Sequence, residues 1–398
     1  MNHLPAAGAD TPPPEAPDRR SRRPMARMDA GRTGEAEETR DAGEAGDTEL
    51  GDGGHRTIGA RVRQADARRS GRTGFRPGPW KRGRVLAALA LLLGLFLLLH
   101  ARIPNGFGNP GSLVETFLPW FGLFVPVLLA GAVWQRSASA LLAGLLPLVV
   151  WLDLFGGLLV DKSHRGGDLT VAEHNVDAGN SDPARTARDL AASGADVLAL
   201  VELTAQARGT YEKGLARKYP YHAVLGTVGL WSTLPLSGTR PIDIGTDYGP
   251  LAATKPADLR MAANRALRTT VATDRGPLTV YVAHLGSVRV TPRSGFGTAD
   301  RDRGARALAK AVAADPGKRV VLLGDLNGAT DDRAFGGVMA QLRSSQDVAG
   351  SGFGFTWPAG FPVVRIDQIL VRGVKPVSSW VLPATGSDHL PVAAGIAW

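Results

Sequence analysis

Asn175, Asp177, Glu202, His284, Asp325, Asn327, Asp367, Asp388 and His389 are the residues of this 398-residue chain whose types and placement can do chemistry. Each closes or interrupts an apolar run. HNVDAGN follows LTVAE, an acid ends ADVLALVEL, and a histidine lies near the end of PLTVYVAHL. GDLN ends KRVVLLGDLN, an acid interrupts VVRIDQILV, and SDH precedes LPVAAGIAW. Taken singly, each has a structural explanation: Asp325 beside Gly324 as a turn residue, His284 as a packed core histidine, Asn175 as a turn cap. Taken together they are four or five carboxylates, two amides and two histidines, and such acids repel one another unless a cation holds them. The chain has no cysteine, so the ligands are oxygens, which favour a hard ion, Mg2+ or Mn2+. A hard ion beside histidine and amide donors suits hydrolysis of a phosphate ester. The ion offsets charge on the phosphoryl oxygens, a base activates water, and Asn or His holds the anion.

These residues need a scaffold that delivers strand ends to one edge. Residues 169–176 read as a strand, and Pro183–Ser193 as a helix with Pro at its start and Ser181 or Asp182 as cap. Residues 195–203 read as a fully apolar strand. LRTTVAT (267–273) and PLTVYVAHL (277–285) are β-branched strands around Asp274-Arg275-Gly276, a hairpin signature. Asp300–Ala314 follows as an amphipathic helix, 318–327 and 363–371 as strands, and LPVAAGIAW as the last strand. The alternation predicts one α/β domain over residues 169–398, without internal repeats and with a core of its own. Open α/β folds gather ligand-binding groups at strand ends on one edge.

The ordered set NVD, VE, AHL, GDLN, RIDQILV and SDH resembles the endonuclease/exonuclease/phosphatase superfamily, that of deoxyribonuclease I, abasic-site endonucleases, inositol phosphatases and bacterial sphingomyelinases. The resemblance covers residues 169–398, and GDLN and SDH are its most specific pieces. It implies a four-layer α/β sandwich of two packed, mostly antiparallel sheets with helices outside, and a Mg-dependent phosphoric ester or anhydride hydrolase. It implies roles as well. His389 matches the catalytic base and Asp367 the carboxylate that orients it. Asp325 matches the acid that orients water or protonates the leaving group, and His284 the histidine on the scissile phosphate. Asn175 and Asn327 match phosphate-binding amides. Glu202 matches the principal metal ligand, supported by Asn175, while Asp177 matches a metal-side acid found in some branches and Asp388 a second metal-side acid.

The first half of the chain locates this domain. Residues 1–84 are rich in Pro, Gly, Ala, Arg and acids, which predicts a disordered tail. Basic residues dominate it from Arg56 to Arg84. Apolar stretches at about 85–103, 117–134 and 138–160 predict three transmembrane helices, since a spanning helix needs roughly 20 residues. The connecting loops offer only Arg102 and Arg136, so the basic flank places the N-terminus in the cytoplasm. Three crossings then put the catalytic domain outside the cell membrane, after a linker at residues 161–168. The flank suits anionic lipid headgroups, which argues against nucleic acid as the partner of a chain of net charge +9. A cleaved signal peptide is not expected, because the first apolar run begins only at Val85. Asp153, inside the third span, is expected to face water or a neighbouring helix and not the site.

Substrate is less sharply written. A linker as short as 161–168 reaches less than about 30 Å at about 3.3 Å per residue, which favours a membrane lipid or lipid-linked phosphate. Arg289, Arg293, Arg301 and Arg303, with Gly295 and Gly297 between, predict a basic loop beside His284 for an anionic headgroup or pyrophosphate. The architecture is similar to the VanJ-like membrane subgroup associated with teicoplanin resistance. That likeness implies hydrolysis of undecaprenyl pyrophosphate, in recycling of the cell-wall carrier and glycopeptide resistance. An exported nuclease, a phospholipid phosphodiesterase and a non-catalytic membrane scaffold are the alternatives, and no obligate protein partner is indicated.

Overall fold

The computed structural model describes residues 78, 80–245, 263–292 and 295–398. The tail expected at 1–84 lies outside the described residues except for Gly78 and residues 80–84, and Arg293 also lies outside them. Helix α1 (Arg84–Leu99) runs on through a 3-10 turn to Arg102, giving an apolar helix of 19 residues. At 1.5 Å per residue that is about 28 Å, the thickness of a hydrocarbon core. The second expected span is preceded by a separate short helix, set at an angle to it. Helix α2 (Pro110–Thr116) is followed by a 3-10 turn, Leu118–Leu123, and then α3 (Phe124–Trp134), with a bend of 66° at the break. Phe117 falls in that break, and Pro119, in the first turn after it, has no N–H to continue the ladder from α2. Helix α4 (Ala138–Phe155), extended to Leu159, gives an apolar helix of 22 residues. Among the described residues there are thus two helices long and apolar enough to cross a membrane, or three if the bent pair is one span.

α1 and α4 lie side by side in the same direction. Ser137 Oγ, just before α4, donates to Arg82 O just before α1 (2.6 Å), and Leu97 clusters with Phe155 at their far ends. Small residues make the contact: Ala90 and Gly94 of α1 and Ala140, Ala143 and Gly144 of α4 are buried. A Cβ on Gly94 would come 2.5 Å from Leu146 Cγ. Leu92, Leu95, Leu98, Leu142, Leu145 and Val149 point outward and are exposed, a surface suited to lipid. α3 runs back toward the start of α1, where Gly131 meets Leu86 and Gln135 meets Gly83. Lys81, Arg82, Arg84 and Arg136 therefore gather at one end of the bundle.

The rest of the chain builds two six-stranded sheets. The first contains β1 (Leu169–Asn175), β2 (Val197–Val201), β3 (Tyr221–Leu225), β4 (Val228–Ser232), β13 (Lys375–Val381) and β14 (Val392–Ala397), in the order β13-β14-β1-β2-β4-β3. The second contains β5 (Leu236–Pro241), β6 (Ala266–Thr273), β7 (Gly276–Ala283), β10 (Val320–Asp325), β11 (Arg343–Ser344) and β12 (Asp367–Arg372), in the order β11-β12-β10-β7-β6-β5. A small hairpin, β8 (Arg289–Thr291) and β9 (Gly295–Gly297), stands apart. Only β1/β2 and β7/β10 pair in parallel, and the other pairs in the two large sheets are antiparallel. Each parallel crossover passes through a helix, α5 (Pro183–Ala191) for the first pair and α7 (Ala299–Ala313) for the second, with α6 (Ala205–Leu215) following β2.

Val171, Val197, Ala199 and Leu230 of the first sheet pack on Val280, Val321, Leu323 and Ile369 of the second. Leu190 of α5 and Tyr211 of α6 cover one outer face, and Leu308 and Val312 of α7 the other. The expected four-layer sandwich is therefore present. Details differ. Asp182 is the cap of α5, its Oδ1 accepting from Arg185 N at 2.9 Å, and the helix stops at Ala191. The strand expected from residue 363 begins at Asp367, because Val364 pairs with Trp357 instead. The expected basic loop is also not a loop at Arg301 and Arg303, which stand on α7. Arg301 is buried between Asp302 and Asp332, 2.8 Å from each, and Arg303 pairs with Asp300. An arginine buried with two carboxylates is spent on structure.

Candidate active site

The site grows out of strand alternation. Val171 of β1 faces the core between the sheets, so Glu173 and Asn175 face the same way; Val282 sets the direction of His284, and Leu323 that of Asp325. Inward positions thus turn polar at the ends of β1, β7 and β10, whereas on β2 the inward residues Val197, Ala199 and Val201 stay apolar and Glu202 follows with a positive φ. β12 and β14 run antiparallel to these strands, so it is their beginnings that reach the same edge. That puts Asp367 directly opposite Asp325 in register and His389 just before β14. Gly324 is required for this arrangement, since a Cβ there would collide with the carbonyl of Ala283 in neighbouring β7.

The buried floor is Asn175, His284, Asp325, Asp367 and His389. Asn175 Nδ2 donates to Asp325 Oδ2 across the seam between the sheets (3.0 Å), and its Oδ1 accepts from Asp177 N (3.0 Å). His389 Nδ1 lies 2.9 Å from Asp367 Oδ2, and its Nε2 is 3.9 Å from Asp325 Oδ2. Asn327 N donates to Asp325 Oδ1 (2.8 Å) and Asn327 Nδ2 to Leu285 O (3.0 Å). His284 Nε2 lies 3.4 Å from Glu202 Oε1 and 3.7 Å from Asp325 Oδ2. Asp177, Glu202 and Asn327 have positive φ (58°, 62° and 52°), a conformation rare outside glycine that persists where surroundings enforce it. Glu202 is held by Ala178 N, which donates to its Oε2 at 3.0 Å.

At the rim, Asp388 is exposed and accepts from Trp357 Nε1 (3.2 Å), with its Oδ1 3.9 Å from His389 Nε2. Asp177 accepts from Gly179 N (2.7 Å) and stands aside from the floor. The nine residues expected from the sequence thus lie at one sheet edge, with Asp177 half-buried and Asp388 exposed at its rim.

The electrostatics follow from burial and like charge. Burial opposes a charged His389, yet the Asp367 carboxylate outweighs it and raises the imidazole to about 9. Asp325 is pushed up to about 7 by burial and by Asp367 opposite it, partly offset by His389 and Asn327 N–H. His284 is held well below the usual histidine range by burial and by Arg265 and His389. Arg265 Nη2 lies 2.8 Å from His284 Nε2, and because a guanidinium only donates, Nε2 accepts and the ring is the neutral Nδ1–H tautomer.

The donors suit a hard divalent ion. Ligating atoms of Asp325, Asp367 and His389 lie within 4.8 Å of one another. The Asp367–His389 hydrogen bond already occupies two of these groups, so Glu202, at the mouth beside Asn175, is the better placed ligand. Asp325, raised by burial and by Asp367 opposite it, marks a crowding of acids whose charge such an ion would offset.

Several residues escaped sequence reasoning. Glu173 is fully buried beneath Asp367 and Asp325, and neither of its oxygens has a hydrogen-bond partner among the described residues; burial and those two acids hold it well above the usual carboxylate range. His174 points the other way, to Thr385 Oγ1 at 2.8 Å, and burial takes it down to about 3. Ser387 Oγ donates to Asn175 O (2.6 Å) and accepts from His389 N (3.0 Å), fixing the base to β1. Ser387 stands in the SDH motif, and Arg265 just before β6; their types carried the signal, but their partners are distant in sequence.

The chain matches the model of the Endonuclease/Exonuclease/phosphatase family over residues 172–389. Among solved structures it is similar to a functionally unknown conserved protein from Enterococcus faecalis V583, at 15% identity over 57% of this chain and 99% of that one, with a TM-score of 0.46. It is similar to sphingomyelinase C from Streptomyces griseocarneus, at 20% identity over 57% of this chain and 98% of that one, TM-score 0.41. It is also similar to a mannosyl-6-phosphatase from Bacteroides thetaiotaomicron VPI-5482, at 16% identity over 58% and 100% of the two chains, TM-score 0.44. No curated protein matches the chain.

Proposed function

The chain belongs to the endonuclease/exonuclease/phosphatase family, whose members are metal-dependent hydrolases of phosphoesters, and we propose that it is a membrane-anchored phosphoesterase with an outward-facing site for a lipid pyrophosphate such as undecaprenyl pyrophosphate. In this reading His389 Nε2 takes a proton from water as the water oxygen bonds to phosphorus. Asp367, bonded to Nδ1, orients the ring and stabilises its cation. The bond from phosphorus to the leaving oxygen breaks, and Asp325, which holds a proton up to about pH 7, gives that proton to the leaving oxygen. Asn175, Asn327 and Arg265 hold the phosphoryl oxygens, and His284, whose Nε2 accepts from Arg265, orients that guanidinium. Mg2+ or Mn2+ on Glu202 and Asn175, with the rim acids Asp177 and Asp388 beside them, would offset phosphoryl charge and lower the pKa of nearby His389.

The lipid assignment is carried by one observation: the loop after Asn327 is fastened to the apolar bundle. Arg333 N donates to Glu115 Oε2 of α2 (3.0 Å) and Arg333 Nη2 to Glu115 Oε1 (2.7 Å). Ser112 Oγ donates to Asp332 Oδ1 at 3.2 Å in the same place. The basic residues gather at the other end of the bundle, which supports a cytoplasmic N-terminus near anionic headgroups and a catalytic domain outside the cell. Carrier recycling and glycopeptide resistance, as in the VanJ-like subgroup, are the physiological form of this proposal.

The test is a Mg2+-dependent hydrolysis panel of undecaprenyl pyrophosphate, sphingomyelin, inositol phosphates and plasmid DNA, with His389→Ala as blank. Phosphate release from the lipid pyrophosphate, absent in the variant, is expected. Faster plasmid nicking or headgroup release at the same metal concentration would overturn the substrate assignment, and inactivity on every substrate would overturn the enzyme itself.

A further inference from the structure

One segment joins the bundle to the catalytic edge. Residues 348–364 carry no acidic, basic or histidine side chain, and they include Phe353, Phe355, Trp357 and Phe361. The segment starts on the bundle: Phe353 lies 6.3 Å, centroid to centroid, from both Trp151 and Phe155 of α4, and Phe355 stacks on Trp120 at 5.6 Å. It also ends there, because Trp120 Nε1 donates to Val363 O at 2.8 Å. Between these anchors the chain forms a hairpin, closed by the Trp357–Val364 bridge and by Phe361 N donating to Pro358 O (3.0 Å).

The same hairpin is bonded to the segment that carries the base. Ala359 N donates to Asp388 O (2.7 Å), Leu390 N to Thr356 O (2.9 Å) and Trp357 Nε1 to Asp388 Oδ2 (3.2 Å). At its tip Phe361 is 71% exposed, and nearby on the bundle Leu123 (61%) and Phe124 (55%) are exposed too. An uncharged hairpin with an outward aromatic, continuous with an apolar bundle, matches the headgroup level of a bilayer, where aromatic side chains settle.

We propose that the Trp357–Val363 hairpin dips into the membrane interface with Phe361 as its anchor, so that lipid substrate reaches His389 along the bilayer surface and not from bulk water. This rests on the reading of the chain as a membrane-anchored phosphoesterase, and it commits to lipid as what covers the tip.

The chain lacks cysteine, so single cysteines can be labelled cleanly. Full-length Phe361→Cys, carrying an environment-sensitive fluorophore, is placed in nanodiscs containing lipids spin-labelled at a shallow acyl position. A label at Asp274→Cys, in the β6–β7 turn at the other end of those strands from His284, is the control. Quenching at 361 and none at 274 is expected. An unquenched label at 361, whether solvated or shielded by a second copy of the chain, would overturn the proposal.

A kinetic arm compares Phe361→Asp with wild type on a bilayer-embedded lipid pyrophosphate and on water-soluble bis(p-nitrophenyl) phosphate. The variant is expected to lose about 10- to 100-fold in kcat/KM on the embedded substrate alone. Equal losses on both substrates, or none, would contradict the proposal. If wild type hydrolyses neither, the phosphoesterase reading fails while the quenching result still decides the hairpin.

Discussion

Both large sheets place a parallel pair at their centre, yet the two pairs deliver different chemistry. β1 and β2 lead to Asn175 and Glu202, an amide and a half-buried acid at the mouth. β7 and β10 lead to His284 and Asp325, both buried and both displaced from their ordinary protonation. In the proposed reaction the same crossover plan would yield an ion-holding side and a proton-handling side. Across the seam, the pair that matters most is shared: Asp367 opens β12 of the second sheet, and His389 leads into β14 of the first. The proposed proton chemistry would thus depend on how the sheets pack, not on either sheet alone.

Variants can break that division, the largest effect first. His389→Ala removes the shared base and is expected to lower kcat by about 10²- to 10⁴-fold while leaving the metal half-saturation unchanged. Glu202→Gln touches only the ion-holding side. Its expected signature in a metal titration is a half-saturating Mg2+ concentration raised about 10- to 100-fold, with the saturated rate largely kept. If both variants move the same parameter, the two sides are not separate.

Asp367→Asn sharpens the comparison at the seam. By NMR on metal-free protein, His389 is expected to titrate near 9 in wild type and to move down toward about 6.5 in the variant. A raised folded-state histidine stabilises the fold fully below about 6.5, and that contribution is lost as pH rises through about 9. Wild-type metal-free protein should therefore lose stability over this window, and Asp367→Asn should lose less. The smallest effect is expected for Ser387→Ala, which frees the His389 backbone from β1 within one sheet. A cost of about 0.5–1.5 kcal/mol in thermal or denaturant unfolding and a few-fold drop in kcat are expected.

The strands that carry the site were legible because a polar residue ended each apolar run. The direction of Glu173 was not, since β1 is buried on both faces and alternation cannot then tell one face from the other. Strands β3, β5 and β13 went unread for another reason: they lie at sheet edges, where little of the strand is continuously apolar. The short helix before the second apolar stretch, Pro110–Thr116, went unread because Ser112, Glu115 and Thr116 interrupt its apolar pattern. Arg301 looked like a ligand-binding cation because its partner, Asp332, is distant in sequence.

The most direct measurement is phosphate release from lipid pyrophosphate by the full-length protein in nanodiscs, followed as Mg2+ is titrated upward from chelator, with His389→Ala alongside. Saturable, Mg2+-dependent release by wild type and none by the variant at any Mg2+ concentration is the predicted result. Release that persists in chelator, or that His389→Ala matches, would contradict a metal-dependent site built around the base that joins the two sheets.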